Sequence, residues 1–541
     1  MTMESQVERI MAMIQEQPDD IQKAILLSEL LDRNETLFHR VLVTYIEELA
    51  PLVYTPTVGR VCLEYGDRFR RPRGMYFSAD DRGCFATMMY NWPQRDVHVC
   101  VVTDGSRILG LGDLGINGMG IPVGKLALYC AAGGIAPHRV LPAMLDVGTN
   151  NEALLKSPSY LGLRRPRLQG QEYDDVVEEF MVAMRHHFPR ACVQFEDFSS
   201  DHAGDILAKY RDESLCFNDD IQGTGCVALA GLLSALKLWG SSATAAELKD
   251  QRVLVAGAGS AGLGVASMLA QGMVQQGLSE AEARRRFYIC DKDGLIGASR
   301  LSDPAKAQLL DPAARNFAQP DGDGVVKDGM TLLEAARAAG PTVLLGLSAV
   351  PQLFTKELVE TVHGAAVAKG GRGIIFPLSN PTANAECTAE QAYGWTGGAC
   401  VFASGSPFGA VNMDGKTLVP SQCNNMFIFP GLGLGSTVSG ALKITDTTLY
   451  ASALALADCL TSDERGKGQV FPSVRRIREV SERVALAVMK STALQGLATA
   501  SAGPASGPMR TWGEAEMLGY LQRKTYDPYY VPLGIDPYAD R

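Results

Sequence analysis

The sequence lacks several patterns that would place the chain in a specialised class of protein. It has 12 cysteines but no C-x-x-C pair, and the closest two, Cys216 and Cys226, are ten residues apart. A zinc ribbon or a dithiol redox centre is therefore not expected. Scattered cysteines in a long chain are typical of reduced core residues in an intracellular protein.

The chain also has no excess of basic residues. Its 50 Lys and Arg residues are outnumbered by 60 Asp and Glu residues, which gives a formal net charge of −10. Nucleic acid is not an expected partner, because a nucleic-acid-binding protein needs basic surface to displace counterions from phosphate. A small anionic substrate stays compatible with this charge, since one basic pocket can lie on an acidic protein.

Long apolar runs and targeting signals are missing as well. No continuous apolar run reaches the roughly 18 residues that a membrane-spanning helix needs, so no membrane association is expected. The first residues, MTMESQVERIM, lack the apolar core of a signal peptide and are too acidic for a typical transit peptide. We therefore expect an intracellular protein, in the cytoplasm or in an organelle.

Helical and strand patterns alternate along most of the chain. Apolar residues recur every three or four positions in residues 5–50, which predicts helices. Further along, β-branched runs such as VHVCVVT (97–103) and RVLVA (252–256) alternate with amphipathic stretches. This alternation predicts an α/β fold with a largely parallel sheet.

A glycine-rich segment, GAGSAG at residues 257–262, follows the strand candidate RVLVA and opens a helical pattern. In that context the G-x-G-x-x-G spacing predicts a Rossmann-type dinucleotide site, with the pyrophosphate at the start of the helix. Asp291 ends the next predicted strand, RFYICD, where a carboxylate would hold ribose hydroxyls. A purely structural glycine turn is the alternative interpretation.

Acidic residues end a strand candidate and begin a helix candidate. Glu196 and Asp197 lie in FED, and Asp220 is the second acid of FNDD, 23 residues later. Carboxylates that meet at one edge of a sheet repel each other unless a cation lies between them, and oxygen ligands favour Mg²⁺ or Mn²⁺. The residues alone leave a second interpretation open, in which Asp220 caps a helix and the other two are surface acids.

Three further residues are ambiguous when they are considered singly. Lys125 lies in an apolar segment, where it is either a desolvated general base or a surface lysine with a buried stem. Arg107 either binds a carboxylate with two hydrogen bonds or is a solvated loop residue. Tyr54, in VYTPTVG, is ambiguous in the same way.

Taken together, these segments resemble the malic enzyme family. The motifs that carry the resemblance, from about residue 30 to about residue 490, are VYTPTVG, TDGSRILGLGDLGINGMGIPVGK, FEDF, FNDDIQGT, GAGSAGLG, PLSNPT, FASGSPF and NNMFIFPG. Members of that family oxidise L-malate with NAD or NADP, decarboxylate the product to pyruvate and CO₂, and require Mg²⁺ or Mn²⁺.

The resemblance implies a role for each matching residue. Lys125 is then the general base, Tyr54 the general acid, and Asp219 the residue next to the metal that sets the charge state of Lys125. The implied metal ligands are Glu196, Asp197 and Asp220. The implied substrate contacts are Arg107, Asn380 and Asn425. The implied cofactor contacts are Gly257, Gly259, Ser260, Ala261, Gly262, Asp291, Lys292 and Asn380.

The resemblance also implies how the chain is organised. The expected parts are a mostly helical N-terminal region (1–71), a malate- and metal-binding domain (72–218 with 426–495), a Rossmann-type NAD(P)-binding domain (219–425) and a C-terminal tail (496–541). The expected assembly is a homodimer or a homotetramer. The N-terminal segment is shorter than is usual in the family, which leaves a processed form open.

Two features bear on the cofactor. Asp291 favours a free ribose 2′-hydroxyl over a 2′-phosphate, and Lys292 directly after it resembles NAD-preferring members, so NAD is expected and NADP is left open. A second glycine-rich turn of the family is replaced here by GLSAVPQLFT, with Ala349, Val350 and Pro351. This departure puts cofactor contacts at that turn in doubt.

Two alternative functions stay open from the sequence. One is a malolactic-type lyase, which makes lactate from malate without net NADH. The other is a non-catalytic relative that acts as a sensor or a scaffold.

Overall fold

The structure, a computed structural model, describes residues 2–239, 247–320, 326–413, 415–500 and 507–530. The chain forms two compact units. The first unit is Met1–Val193 with Leu518–Arg541, and the second unit is Gln194–Met517. The four-part domain division expected from the sequence stays a prediction.

The first unit begins with helices, as the periodicity of residues 5–50 predicts. Its elements are α1 (Met3–Gln15), α2 (Asp20–Arg33), α3 (Glu35–Thr44), α4 (Ile46–Val53), α5 (Thr57–Leu63), α6 (Tyr65–Arg68), β1 (Met75–Ser78), α7 (Phe85–Met89), β2 (Val99–Thr103), α8 (Gly120–Ala131), β3 (Val140–Asp146), α9 (Glu152–Lys156) and α10 (Gln171–His187). The strand β4 (Cys192–Phe195) follows and leads into the second unit.

Side-chain caps fix where the first helices begin. The side chains of Thr2, Asp19 and Asn34 accept hydrogen bonds from backbone amides in the first turns of α1, α2 and α3. Each cap satisfies a donor that has no partner within its helix. The apolar faces of these helices are buried, which supplies the stability that short isolated helices lack.

Strands β1, β2 and β3 are parallel, with β3 in the middle. The register aligns Val99 with Val140 and Thr103 with Met144. Every residue of β2 is buried, as expected for a parallel strand covered on both faces. The loop that carries Arg107 leaves the C-terminal end of β2, the edge at which α/β proteins bind ligands.

The second unit contains the Rossmann-type sheet. Its elements are α11 (Ser200–Tyr210), β5 (Cys216–Asn218), α12 (Thr224–Leu236), β6 (Val253–Ala256), α13 (Ser260–Gln275), α14 (Glu280–Arg284), β7 (Phe287–Asp291), β8 (Gly294–Leu295), α15 (Ala298–Ser302), α16 (Pro304–Gln308), α17 (Pro312–Arg315), α18 (Leu332–Ala339), β9 (Val343–Gly346), α19 (Lys356–Val367), β10 (Ile374–Pro377), α20 (Ala389–Thr396), β11 (Val401–Ser404), β12 (Val411–Met413), β13 (Lys416–Leu418), β14 (Ser421–Gln422), α21 (Phe429–Ser439), α22 (Asp446–Ala457), α23 (Ser462–Gly466) and α24 (Ile477–Leu494). The final helix, α25 (Glu514–Lys524), crosses back to the first unit.

Seven strands of the second unit form one sheet, in the order β14-β11-β10-β9-β6-β7-β8. All neighbours are parallel except β7 and β8. The connection from β6 leads to β7 on one side, and the chain then returns to β9 on the other side. The strand order therefore reverses between β6 and β9, which is the crevice where open α/β sheets bind their ligands.

Two expectations about the whole chain can be compared with this fold. Eleven of the 12 cysteines are buried or lie within the core, the exception being the exposed Cys84, and all are free thiols. Among the residues that the structure describes, no helix is long and apolar enough to cross a membrane.

Candidate active site

Lys125 is buried on α8, against the segment that carries Tyr54. The Lys125 side chain lies 5.2 Å from the centre of the Tyr54 ring, measured from Nζ. Lys125 is 1% exposed and Tyr54 is 7% exposed. The interpretation of Lys125 as a surface lysine is therefore wrong, and a lysine this deeply buried is rare in proteins unless it is paired.

Glycines in α8 explain how the lysine reaches this position. A Cβ atom on Gly124 would lie 2.4 Å from the carbonyl oxygen of Val53, and a Cβ on Gly120 would lie 2.9 Å from the Cys62 sulfur. Because these glycines are four residues apart, they share one face of the helix. The glycine face lets α8 approach the backbone beside Tyr54, so the sequence PVGK places the base candidate next to the acid candidate.

Arg107 lies on the exposed part of the loop that follows β2. The loop folds back on itself, because the Ile108 amide donates to the Gly112 carbonyl oxygen at 2.9 Å and the Leu114 amide donates to Gly105 at 3.0 Å. Arg107 therefore lies in a hydrogen-bonded loop at the edge of the sheet where α/β proteins bind ligands.

Glu196, Asp197 and Asp220 come together in the second unit. One carboxylate oxygen from each residue lies within 4.8 Å of the other two. The Asp197 amide also donates to an Asp220 oxygen at 2.8 Å. Glu196 is 2% exposed and Asp197 is 6% exposed, so the interpretation of these two as surface acids is wrong.

The chemistry of this acidic cluster fits a hard divalent cation. All the donors are carboxylate oxygens, which is the ligand type that Mg²⁺ and Mn²⁺ prefer. Asp197 has a φ angle of 56°, a left-handed conformation that is uncommon outside glycine. Such strained backbone is found where the surrounding structure must aim a side chain at a functional site.

Two supporting residues were missed by the sequence reasoning. The Gln194 side chain donates to Glu196 Oε2 at 2.8 Å and so fixes the orientation of that carboxylate. Gln194 could have been found, because residues two apart in a strand share one face. Asn218 accepts from the Ile221 amide at 3.0 Å and caps the π-helical turn Asp219–Gly223, so the cap is neither of the adjacent aspartates.

Asp219 is held by Asn425, which the sequence predicts as a substrate contact. The Asn425 side-chain amide donates to Asp219 Oδ2 at 3.0 Å, and Asp219 is fully buried. Gly223 makes room for this carboxylate, since a Cβ there would lie 1.9 Å from Asp219 Oδ1. Burial and then the charge of Asp219 raise the pKa of the Cys226 thiol, which keeps that cysteine protonated.

The glycine-rich turn after β6 has the geometry of a dinucleotide site. Gly257 has a φ angle of 118°, and a Cβ there would lie 2.4 Å from the Leu347 carbonyl oxygen. A Cβ on Gly262 would lie 2.2 Å from the Gly257 oxygen, whereas a Cβ on Gly259 would point into open space. The turn therefore needs two of its glycines for packing and leaves the third free for the close approach of a ligand.

The start of α13 fits a phosphate group. No side chain caps this helix at Gly259. The Ser260 hydroxyl oxygen is buried and has no hydrogen-bond partner among the described residues. Helix N-termini attract anions through their amides and their dipole, so Ser260 and these amides could hold a pyrophosphate.

Asp291 ends β7 in a network with one arginine and a second aspartate. Arg300 donates to Asp291 Oδ2 and to Asp328 Oδ1, both at 2.7 Å, and its side chain is 6% exposed. One guanidinium between two carboxylates leaves one net negative charge. Lys292 bonds to Asp293 at 2.7 Å, and 84% of its side chain is exposed.

The loop after β9, in the segment GLSAVPQLFT, is held by hydrogen bonds to Glu386. Both the amide and the hydroxyl of Ser348 donate to Glu386 Oε1, at 3.0 and 2.9 Å. The Ser379 hydroxyl donates to the same oxygen, and the Ala349 amide donates to Ser379. The amides of Ser348 and Ala349 therefore already have hydrogen-bond partners. Ala349 adopts a φ angle of 56°, a left-handed conformation that glycine adopts more readily.

Asn380 follows this network on the loop after β10. Its side-chain oxygen accepts from the Ser406 hydroxyl at 2.8 Å, and the residue is exposed. The structure therefore groups the predicted residues into sets within each unit: Tyr54 with Lys125 in the first unit, and the acidic cluster, Asp219 with Asn425, the glycine turn and Asn380 in the second. The predicted neighbourhood of Asp219 and Lys125 stays a prediction, because the two residues belong to different units.

Comparisons with known proteins identify related sequences and structures. A family profile described as "Malic enzyme, N-terminal domain" matches residues 31–211, and one described as "Malic enzyme, NAD binding domain" matches residues 221–493. Together they cover most of the chain.

Similar proteins include both NAD- and NADP-dependent enzymes. "NAD-dependent malic enzyme 2, mitochondrial" of Arabidopsis thaliana is 46% identical, over 94% of this chain and 82% of that protein. "NADP-dependent malic enzyme, chloroplastic" of Zea mays is 43% identical, over 98% and 79%. Among solved structures, the Entamoeba histolytica malic enzyme shares the fold with a TM-score of 0.57 at 22% identity, over 88% of this chain and 80% of that one.

Proposed function

The chain belongs to the malic enzyme family, and from this premise we propose that it oxidises and decarboxylates L-malate to pyruvate and CO₂. The observation that carries the proposal is the cluster of Glu196, Asp197 and Asp220, whose oxygens lie within 4.8 Å of one another. Such a cluster would hold Mg²⁺ or Mn²⁺, which would polarise the C2 oxygen of malate and offset the negative charge that develops there.

Lys125 acts as the general base in this proposal. Hydride can leave C2 of malate only as the C2 hydroxyl loses its proton, so a base must lie near that oxygen. The burial of Lys125 supports the role, because burial favours the neutral form of an amine, which is the form that accepts a proton. A nicotinamide cofactor held at the turn 257–262 would supply the hydride acceptor.

Tyr54 acts as the general acid. The β-keto acid formed by oxidation loses CO₂ and leaves an enolate, which must be protonated at C3 to give pyruvate. Tyr54 is buried with Lys125 Nζ 5.2 Å from the centre of its ring, and this proximity supports the assignment of the two residues as the acid and the base of one site. Arg107 and Asn425 bind the substrate, and Asp219, to which Asn425 donates, supports that contact.

NAD is the proposed cofactor. The group Asp291, Arg300 and Asp328 carries one net negative charge, which would repel a 2′-phosphate and accept hydrogen bonds from ribose hydroxyls. The charge of Lys292 also acts on Asp291, but Lys292 forms an ion pair with Asp293, so the net negative charge of the whole group is unchanged. Steady-state kinetics with both cofactors tests this assignment, and a larger kcat/KM with NADP than with NAD would contradict it.

The remaining assignments also follow from the family. We propose an intracellular enzyme that assembles as a homodimer or a homotetramer, which sedimentation analysis would check. The cysteines, nearly all of them buried thiols, support a reducing compartment.

A product assay tests the reaction itself. The protein is incubated with L-malate, Mn²⁺ and NAD, while absorbance at 340 nm reports NADH and chromatography identifies the organic acid. Equal amounts of NADH and pyruvate are expected. Lactate without net NADH would replace the proposal with a malolactic-type lyase, and no turnover in a metal-loaded, folded protein would support a non-catalytic relative.

A further inference from the structure

The loop between β2 and α8 has an aspartate at each of its ends. Asp104 follows the last residue of β2, and Asp113 lies just before the 3₁₀ turn that leads into α8. Arg107, which the proposed function assigns to the substrate carboxylate, lies between them. Contacts that hold both aspartates in place therefore also hold the loop that carries Arg107.

Arg167 contacts both ends of this loop. It donates to Asp113 with two nitrogens, from Nε to Oδ2 and from Nη2 to Oδ1, each at 2.8 Å. Nη2 also donates to the Asp104 carbonyl oxygen at 2.9 Å, and Nη1 lies 3.5 Å from an Asp104 carboxylate oxygen. The side chain is only 6% exposed, so these contacts are little screened by solvent.

Asp104 connects Arg167 to Ser106, the residue next to Arg107. Its Oδ1 accepts from both the amide and the hydroxyl of Ser106, at 2.9 and 2.5 Å, and its Oδ2 accepts from the Tyr173 hydroxyl at 2.9 Å. Arg107 is the next residue along the chain. The contacts therefore run without a gap from Arg167 through Asp104 and Ser106 to the backbone of Arg107.

Asp113 ties the other end of the loop to the chain after β3. It accepts from the Thr149 hydroxyl and from the Asn150 amide, each at 2.8 Å. Burial raises the pKa of the Asp113 carboxyl, but the hydrogen bonds and charge of Arg167 outweigh burial and hold this pKa below its ordinary value. Asp113 is thus a charged anchor for the loop.

We infer that Arg167 is a positioning residue for malate binding, which holds both ends of the Arg107 loop so that the Arg107 guanidinium meets a substrate carboxylate. The inference rests on the proposed function, because it takes Arg107 as the substrate contact. A lysine at position 167 would keep the charge but could not make the forked contact with Asp113 and the contact with Asp104 at the same time.

The test compares Arg167→Lys with the wild-type enzyme, using Mn²⁺, NAD and varied malate. Because a small displacement of a binding group is costly, we expect the KM for malate to rise about 10- to 100-fold. The KM for NAD and the thermal midpoint should change little, and kcat should fall less than the KM rises. Arg82→Lys is the matched control, since Arg82 forms a surface pair with Asp175 in the same unit.

A double mutant separates positioning from general support of the fold. If Arg167 acts through Arg107, adding Arg167→Lys to Arg107→Ala should raise the KM for malate no further. The inference would be overturned if the two substitutions raised the KM for malate additively. It would also be overturned if Arg167→Lys lowered kcat and raised the KM for malate and the KM for NAD by equal factors. An unchanged KM in Arg107→Ala alone would instead refute the role of Arg107 in the proposed function.

Hydrogen exchange gives a readout that needs no turnover. In Arg167→Lys, the amides of residues 104–114 should exchange faster while those of β2 and α8 do not. If Arg167→Lys fails to fold, Asp113→Asn is tested in the same way, because it keeps the side-chain size and weakens the same contact. Unchanged exchange in the loop of whichever variant folds would overturn the inference.

Discussion

The two units gather acidic side chains in different ways. In the first unit, Asp104 and Asp113 share Arg167, so the chain itself supplies the compensating cation. In the second unit, three carboxylate oxygens meet within 4.8 Å in an arrangement that fits a metal ion. The two groups therefore differ in whether the chain itself supplies the compensating positive charge.

The largest effect should come from the base. Lys125→Ala should lower kcat by about 10²- to 10⁴-fold, because proton removal from the substrate hydroxyl loses its acceptor. Mn²⁺ binding should persist, since the acidic cluster belongs to the second unit. Turnover is measured as NADH formation under saturating malate. Activity equal to that of the wild type would overturn the assignment of the base.

Asp220→Ala should also damage catalysis severely, but through the metal. We expect a loss of about 10²- to 10³-fold in metal-dependent kcat/KM, comparable to removing a group that stabilises developing charge. The thermal midpoint without metal should change far less, because the substitution relieves repulsion among the carboxylates. Asp205→Asn, an exposed acid in the same unit, is the control. A collapse of stability equal to the loss of activity would contradict a metal-binding role.

A smaller effect should follow from changing the residue that supports a ligand. Gln194→Ala removes the hydrogen bond to Glu196 Oε2 and should lower the affinity for Mn²⁺ about 10- to 100-fold. The kcat at saturating Mn²⁺ should recover most of its wild-type value. Titration of activity with Mn²⁺ measures this, with the exposed Gln275→Ala as the control. Failure of excess metal to restore kcat would mean that Gln194 acts in some other way.

The smallest effect concerns acid stability in the first unit. Burial and then the charge of Arg139 lower the pKa of His98 to about 4, although Asp96 opposes them. The unfolded chain therefore binds the extra proton first, and stability falls as the pH drops from about 6.5 to about 4, by at most about 3 kcal/mol.

His98→Gln should flatten that pH dependence. Thermal midpoints measured between pH 7 and pH 4.5 should fall less in His98→Gln than in the wild type, whereas His186→Gln, at an exposed histidine of the same unit, should follow the wild type. Parallel curves for all three proteins would show that His98 does not titrate differently on unfolding.

The elements of the fold could be predicted well because their signals are local. The glycine-rich segment, the strand before it and the helix after it lie within about 25 residues, and the structure places β6, the turn and α13 there. A shared cation site for the acids of FED and FNDD was one of two interpretations that the sequence left open, and the structure places these acids after β4 and β5. Their burial, however, depends on the packing around them, and the sequence alone left surface positions open.

The supporting contacts could not be predicted in the same way. Arg167 is 54 residues from Asp113 and 63 residues from Asp104, so no local pattern joins them. The segment GLSAVPQLFT lacks the second glycine-rich turn of the family, and only the fold brings Glu386 to the Ser348 amide and Ser379 to the Ala349 amide. In both places a side chain from a distant segment holds the loop, and no local sequence pattern indicates which side chain that is.

Direct titration of Mn²⁺ tests the central claim, that Glu196, Asp197 and Asp220 form the cation site. Calorimetry is performed on the wild type, on Asp220→Asn, which keeps the side-chain size, and on Arg167→Lys, which alters the other acidic group. We predict one Mn²⁺ per chain in the wild type and in Arg167→Lys, with binding lost or greatly weakened in Asp220→Asn. Wild-type affinity in Asp220→Asn, or loss of binding in Arg167→Lys alone, would contradict the account.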